Sequence, residues 1–349
     1  MDENSSKKEH VVVGWGLAGA VLSWQLYFRG EKFQVYDSLL NHSTRVAAGL
    51  VNPIVFKRLT KSWNADLLLP YADEFYTKVE KELGVQLVSR KSIYRVFASI
   101  EEENNWASKE GDDRFNSYLT TPVKGELPSE NQVSFPFGIG KVLTIGCLDP
   151  NLFLDESKTF FERKGVTFIP HSYDYNTTIT TGGPNHFYCE GVGVRDNPLF
   201  NYLPFKPTHG EILIIKTDQF SFDHILNKKM FIKPLGDNKY LVGATYNWEI
   251  NEPIITKEAK LELIERLNAF TNFEYTIVEQ KAGIRPTVSD RRPLLGRHPD
   301  HENSIIFNGL GTKGVMIAPY YAGQLVDSIL EGGLIDPEVD IKRYQKHKL

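Results

Sequence analysis

A polar start gives way to short apolar runs separated by longer amphipathic ones. Residues 11–14 (Val11-Val12-Val13-Gly14) are a β-branched run stopped by glycine, the pattern of a buried parallel strand. Residues 17–29 carry Leu17, Val21, Leu22, Leu26 and Tyr27 on one face and end at Gly30, which predicts a helix. Residues 33–37 predict the next strand, ending at Asp37. The pattern then breaks into a small-residue loop, Arg45 to Pro53. Residues 66–83 read as an amphipathic helix with Leu68, Tyr71, Ala72, Phe75, Val79 and Leu83 on one side. Asp149-Pro150 is a helix start signal for a helix to Lys164, followed by strands at 166–169 and 186–191. Strand candidates at 210–216, 229–234 and 239–246 form a cluster, the last two joined at Gly236-Asp237-Asn238. Residues 257–270 predict a helix, 304–308 a strand and 314–331 a closing helix. Residues 91–140 show no comparable period and read as an irregular, acidic insertion.

The predicted fold class is therefore α/β: a doubly wound, Rossmann-like domain interleaved with an antiparallel-sheet substrate domain. The expected division gives residues 1–60, 141–205 and 280–349 to the nucleotide-binding part. Residues 61–140 and 206–279 go to the cap. A chain of 349 residues is long enough for two such units at roughly 150 residues each.

Composition narrows the function classes. The charge of −4 and the absence of a basic run disfavour nucleic acid as a partner. Lys7 and Lys8 precede a long apolar run, but its glycines follow nucleotide-loop spacing and no cleavage site follows, so a signal segment is not expected. No stretch reads as a membrane span, and two cysteines, Cys147 and Cys189, form no framework or CxxC pair. A cytoplasmic protein is expected. The histidines show no metal-ligand spacing, so no metal is expected; His209 stands out only by its neighbours Gly210 and Glu211.

The chemistry sits at the two ends. Gly14, Gly16 and Gly19 follow the first strand. The first allows the tight turn, the second the approach of a diphosphate, and the third close helix packing. Leu17 and Ala18 then open a helix whose N–H groups face the phosphates. Asp37 stands where a ribose hydroxyl would be bound. Ala48 and Gly49 belong to the small-residue loop. Near the far end, Gly283 precedes Arg285, and Gly309, Gly311, Thr312, Lys313, Gly314 and Val315 form a second glycine loop running into a helix. The two motifs together suggest a flavin held from both ends of the chain. The second loop would aim N–H donors and a helix dipole at the N1/O2 edge of the flavin ring. Lys313 either adds a full charge there or is a solvated lysine. Arg285 either grips a substrate carboxylate with its planar fork or pairs with an acid such as Asp290.

The combination resembles the D-amino acid oxidase superfamily, most of all its glycine oxidase and sarcosine oxidase branches. The resemblance rests on GWGLAG with Asp37, AAGLVNP at 47–53, PTHGEIL at 207–213, LVGAT at 241–245, AGIRPTVSDRRPLLGRHP at 282–299 and NGLGTKGVMIAP at 308–319. It implies non-covalent FAD, a substrate sheet capping the flavin and hydride removal from a carbon bearing an amine. It also implies that Arg285 holds the substrate carboxylate. Phe231 stands where glycine oxidases often carry a tyrosine, and Tyr246 joins it as a candidate site residue. No histidine occupies 43–49 and no cysteine lies near 309–319, so covalent attachment is not expected. The expected partners are a small amine or amino acid and oxygen or another electron acceptor. Three alternatives stay open: an oxidoreductase acting on carboxymethylaminomethyl-uridine of tRNA, a 2-hydroxy-acid dehydrogenase of the same superfamily, and a flavin-binding module without turnover.

Overall fold

The computed structural model describes residues 9–39, 43–176 and 183–347; the polar start at 1–8 lies outside them. Its first layer is a six-stranded sheet. In spatial order the strands are Phe168–Ile169, Phe33–Tyr36, His10–Val13, His186–Tyr188, Ser304–Asn308 and Leu294–Arg297. The first five run parallel and the last is antiparallel. The glycine-stopped apolar runs thus become the buried centre of the sheet, as β-branched residues covered on both faces should.

The helix Leu17–Phe28 and the closing helix Gly314–Glu331 pack against each other, and Ala65–Leu83 packs on the latter. The buried face of Ala65–Leu83 includes the expected Leu68, Ala72, Phe75 and Val79, and also Tyr76. Pro150–Arg163 starts at the expected place: Asp149 accepts from the N–H groups of Asn151 and Leu152 at 3.0 Å each. Its Phe160 and Phe161 meet Trp24 of the first helix at ring distances of 4.9 and 4.8 Å.

The second layer is an eight-stranded sheet in the order Thr276–Arg285, Thr208–Lys216, Lys239–Gly243, Phe231–Gly236, Ile225–Asn227, Ile93–Val96, Ile139–Val142 and Leu119–Thr120. Neighbours are antiparallel except Ile225–Asn227 with Ile93–Val96. Residues 91–140 are therefore not irregular. They supply strands to this sheet and the helix Ile100–Glu110, whose N-cap Ser99 accepts from Glu102 N–H. The strand Ile93–Val96 is buried throughout because Arg95, its polar member, is paired: Nε donates to Glu102 at 2.7 Å and Nη1 to Asn227 at 2.6 Å.

The small-residue loop opens with a short helical turn, Ser43–Val46, not with irregular chain. Ser43 donates to the Ile284 carbonyl at 2.6 Å, tying the nucleotide layer to the end of the long cap strand. Cys147 and Cys189 are both buried thiols. Among the described residues no helix is long and apolar enough to cross a membrane, and no cluster of His, Cys, Asp and Glu suits a metal ion.

Candidate active site

The two layers enclose a cavity of about 820 Å³. Its lining brings together Gly14, Gly16, Leu17, Ala18 and Asp37 of the first layer with Phe231, Gly283 and Arg285 of the second and Tyr246 just beyond a strand of it. Ala48 and Gly49 line one side, and Gly311 to Val315 close another. Motifs from opposite ends of the chain thus share one space.

Gly19 and Gly309, expected at the cofactor, stand outside that lining. Gly19 packs instead: a Cβ there would lie 1.9 Å from the Gly14 carbonyl oxygen, so only glycine lets the helix approach the turn. Gly309 sits against Val288 and Leu294.

Both helices that open on the cavity begin without a side-chain cap and without an acid in the first turn. Leu17 N–H is met by the Thr44 hydroxyl at 3.0 Å. Two helix starts with no N-cap side-chain hydrogen bond and no first-turn acid, both on one cavity, make two places suited to negative charge. Asp37 accepts from Trp15 N–H at 3.3 Å, leaving its second oxygen for a hydroxyl of a bound group. The cavity volume, its glycine lining and the two helix starts on it fit a dinucleotide with its diphosphate at the first helix and, at the second, a ring that takes on negative charge when reduced.

Lys313 is not a solvated lysine. It is half-buried, and its Nζ donates to the Asn52 carbonyl and the Ser62 hydroxyl, both at 2.6 Å. Loss of hydration pushes its pKa down to about 8. Asn52 and Ser62 flank one short hairpin, Ile54–Val55 with Thr60–Lys61, and no sequence pattern shows that this hairpin meets Lys313 some 250 residues farther on.

Arg285 is not the partner of Asp290. Asp290 accepts from Arg343 Nε at 3.1 Å and from the Tyr344 hydroxyl at 2.5 Å. Arg285 Nη1 donates to the His209 carbonyl at 3.2 Å and Nη2 to the Thr245 carbonyl at 3.4 Å. Its guanidinium carbon lies 4.4 Å from the centroid of the Tyr246 ring. Among the described residues no carboxylate forms an ion pair with it. Burial lowers its pKa, but a guanidinium so displaced is still charged at neutral pH. Gly210 makes room for it: a Cβ there would lie 2.2 Å from both Nη atoms. Gly210 is a site residue to which the sequence reading assigns no role, although it lies in the PTHGEIL segment; its physical signal is a glycine inside a strand.

His209 serves the sheet. Its ring nitrogen contacts the Ile254 carbonyl at 2.8 Å, and its backbone pairs with Asn247. Buried Glu211 accepts from Thr256 N–H and hydroxyl and from Gln280 at 2.6–3.0 Å, fixing the far end of the loop that carries Tyr246. Phe231 lines the cavity beside Gly243, its antiparallel neighbour.

Residues 9–328 match the family described as DAO, FAD dependent oxidoreductase. The chain is similar to a glycine oxidase of Bacillus licheniformis, 29% identical over 148 residues that make up 40% of this chain and 39% of that protein. It is also similar to the tRNA 5-methylaminomethyl-2-thiouridine biosynthesis bifunctional protein MnmC of Acinetobacter baylyi, 20% identical over 94% of this chain and 54% of that protein. The match thus spans about half or less of the length of these two relatives. Among solved structures, iminodiacetate oxidase (IdaA) from Chelativorans sp. BNC1 superposes with a TM-score of 0.75 at 20% identity, covering 96% of this chain and 98% of that one. At that identity the likeness shows a shared fold.

Proposed function

The chain belongs to the FAD dependent oxidoreductases, and from that premise we propose that it oxidises the C–N bond of a small amine bearing a carboxylate. The observation that carries this reading is Arg285: a charged guanidinium at the cavity wall with backbone carbonyls on its flank and, among the described residues, no acid to neutralise it. A half-buried guanidinium with only carbonyls and a ring beside it carries an unneutralised charge, and a substrate carboxylate is the complement its fork fits.

FAD, when bound, accepts the hydride. The chain's own residues do the rest. Arg285 binds the carboxylate and so orients the neighbouring carbon. Phe231 covers the cavity wall and presents no hydroxyl to the substrate. The Gly314–Glu331 helix start supplies positive potential where negative charge develops. The reaction requires a neutral amine: its nitrogen lone pair forms the C=N bond as hydride leaves carbon, and water later hydrolyses the imine. Oxygen or another acceptor takes the electrons onward. Support for the amine also comes from the named activities of the similar proteins, among them a glycine oxidase and an iminodiacetate oxidase.

The test is anaerobic bleaching of the bound flavin with a matched panel of amino acids, N-alkyl amino acids and 2-hydroxy acids. Carboxylate-bearing amines should bleach it. Because Phe231 offers no hydroxyl, a larger or N-substituted amino acid should outperform glycine in kcat/KM. Bleaching by 2-hydroxy acids alone refutes the reading.

A further inference from the structure

Beyond Arg285 the site continues outward along aromatic rings. Tyr246 lies against the guanidinium on one side and is 53% exposed. Trp248 follows at a ring distance of 6.4 Å and a tilt of 30°, and is 66% exposed. Two large rings held open to solvent beside a charged pocket are not explained by packing, since neither joins a core cluster.

The segment that presents them is built into the sheet. Thr245 N–H donates to the Glu211 carbonyl at 3.1 Å. Asn247 exchanges backbone hydrogen bonds with His209 at 2.9 and 3.0 Å, and its side chain accepts from Glu249 and Ile250 N–H. Farther on, the Asn251 carbonyl accepts from Arg195. Tyr246, Asn251, Glu252 and Pro253 of this same segment line the cavity, so the rim and the pocket are continuous.

We propose that Tyr246 and Trp248 form a stacking subsite for a planar ring carried on the amine of the substrate, outward from the carboxylate on Arg285. The inference rests on the carboxylate-amine reading above. The substrate class is then a secondary amine with two arms: a short carboxylate arm directed to Arg285 and an aryl or heteroaryl arm directed to the rim. A ring stacks on an exposed aromatic face through dispersion and quadrupole alignment, which a saturated ring of equal bulk reproduces poorly.

The experiment compares N-methylglycine, N-(cyclohexylmethyl)glycine and N-benzylglycine as reductants of the FAD-bound protein, wild type and Trp248→Ala. Trp248→Phe is the conservative control, and flavin content and Tm are followed in parallel. Wild type should prefer the benzyl over the cyclohexylmethyl compound in kcat/KM, mainly through KM. Trp248→Ala should reduce that preference roughly tenfold and Trp248→Phe should restore most of it. An unchanged benzyl-to-cyclohexylmethyl ratio in Trp248→Ala overturns the stacking subsite while leaving the amine reading in place. Flavin reduction by primary amino acids but by none of the three N-substituted amines overturns the two-armed substrate and leaves the amine reading in place, whereas no reduction by any carboxylate-bearing amine overturns both.

Discussion

At the scale of single residues, the site turns on how one cation is held. Arg285 is seated by what its neighbours lack: a side chain at Gly210 and, among the described residues, an acid at its fork. Replacing it with alanine removes a charge-assisted contact worth about 1.5–3 kcal/mol, so kcat/KM for a carboxylate-bearing amine should fall by roughly 10- to 100-fold. Lysine keeps the charge but not the fork and should rescue little. Gly210→Ala should imitate the loss with Arg285 still present, because the new methyl displaces a flexible guanidinium rather than backbone. Steady-state kinetics with a matched amine lacking the carboxylate decides the matter. An equal loss for both substrates in either variant refutes the assignment. The fork is legible in the sequence as a residue type, but its seat is not. Asp290 lies near it in sequence, yet Arg343 and Tyr344, some fifty residues farther on, are what that carboxylate meets.

At the scale of elements, legibility follows local pattern. The opening strand-turn-helix and the closing strand-loop-helix announce themselves through β-branched runs, glycine spacing and helical period. The strands at 93–96, 119–120 and 139–142 do not, because they are two to four residues long and owe their burial to partners far along the chain. Arg95 in the middle of one of them interrupts any apolar run, and only the acid and amide that meet it explain its presence inside. The start of the closing helix carries its own prediction. Lys313, with its pKa pushed down to about 8, is charged below that pH and neutral above it. In the proposed arrangement, reduction of the flavin places negative charge nearby and draws a proton back onto the amine. The reduction potential should therefore fall more steeply with pH above about 8 than below it. Lys313→Met should abolish the break, as spectroelectrochemical titration across the neutral to mildly alkaline range can show. A single slope in the wild type argues that Lys313 only braces the Asn52 and Ser62 loops.

At the scale of the whole molecule, the proposed cofactor site lies between layers, with neither a histidine in 43–49 nor a cysteine near 309–319 to bond a flavin covalently. The purified protein should be yellow with about one FAD per chain, and acid precipitation should release the flavin into the supernatant. Flavin remaining with the pellet refutes this. Domain limits matter less here than how the chain crosses between sheets. The strand Thr276–Arg285 lies in the cap sheet, yet within a few residues the chain re-enters the nucleotide sheet at Leu294–Arg297. No composition shift marks that crossing, which is why a boundary at 280 can be drawn from the sequence without a sign that it cuts a strand.

The order of strands in the nucleotide sheet has a consequence for how the protein is made. His10–Val13 is synthesised first, but its neighbour His186–Tyr188 arrives some 175 residues later, and that strand's other neighbour, Ser304–Asn308, later still. At translation rates of about 5–20 residues per second, the first strand waits on the order of ten seconds or more for its partner. Until then its apolar run has only the local strand-helix-strand unit to shelter it. The wall of the cavity formed by Asn308 and residues 310–315 cannot exist before they emerge. A ribosome stalled before residue 300 would therefore hold a polypeptide whose glycine turn at 14–19 is already made but whose cavity still lacks one wall.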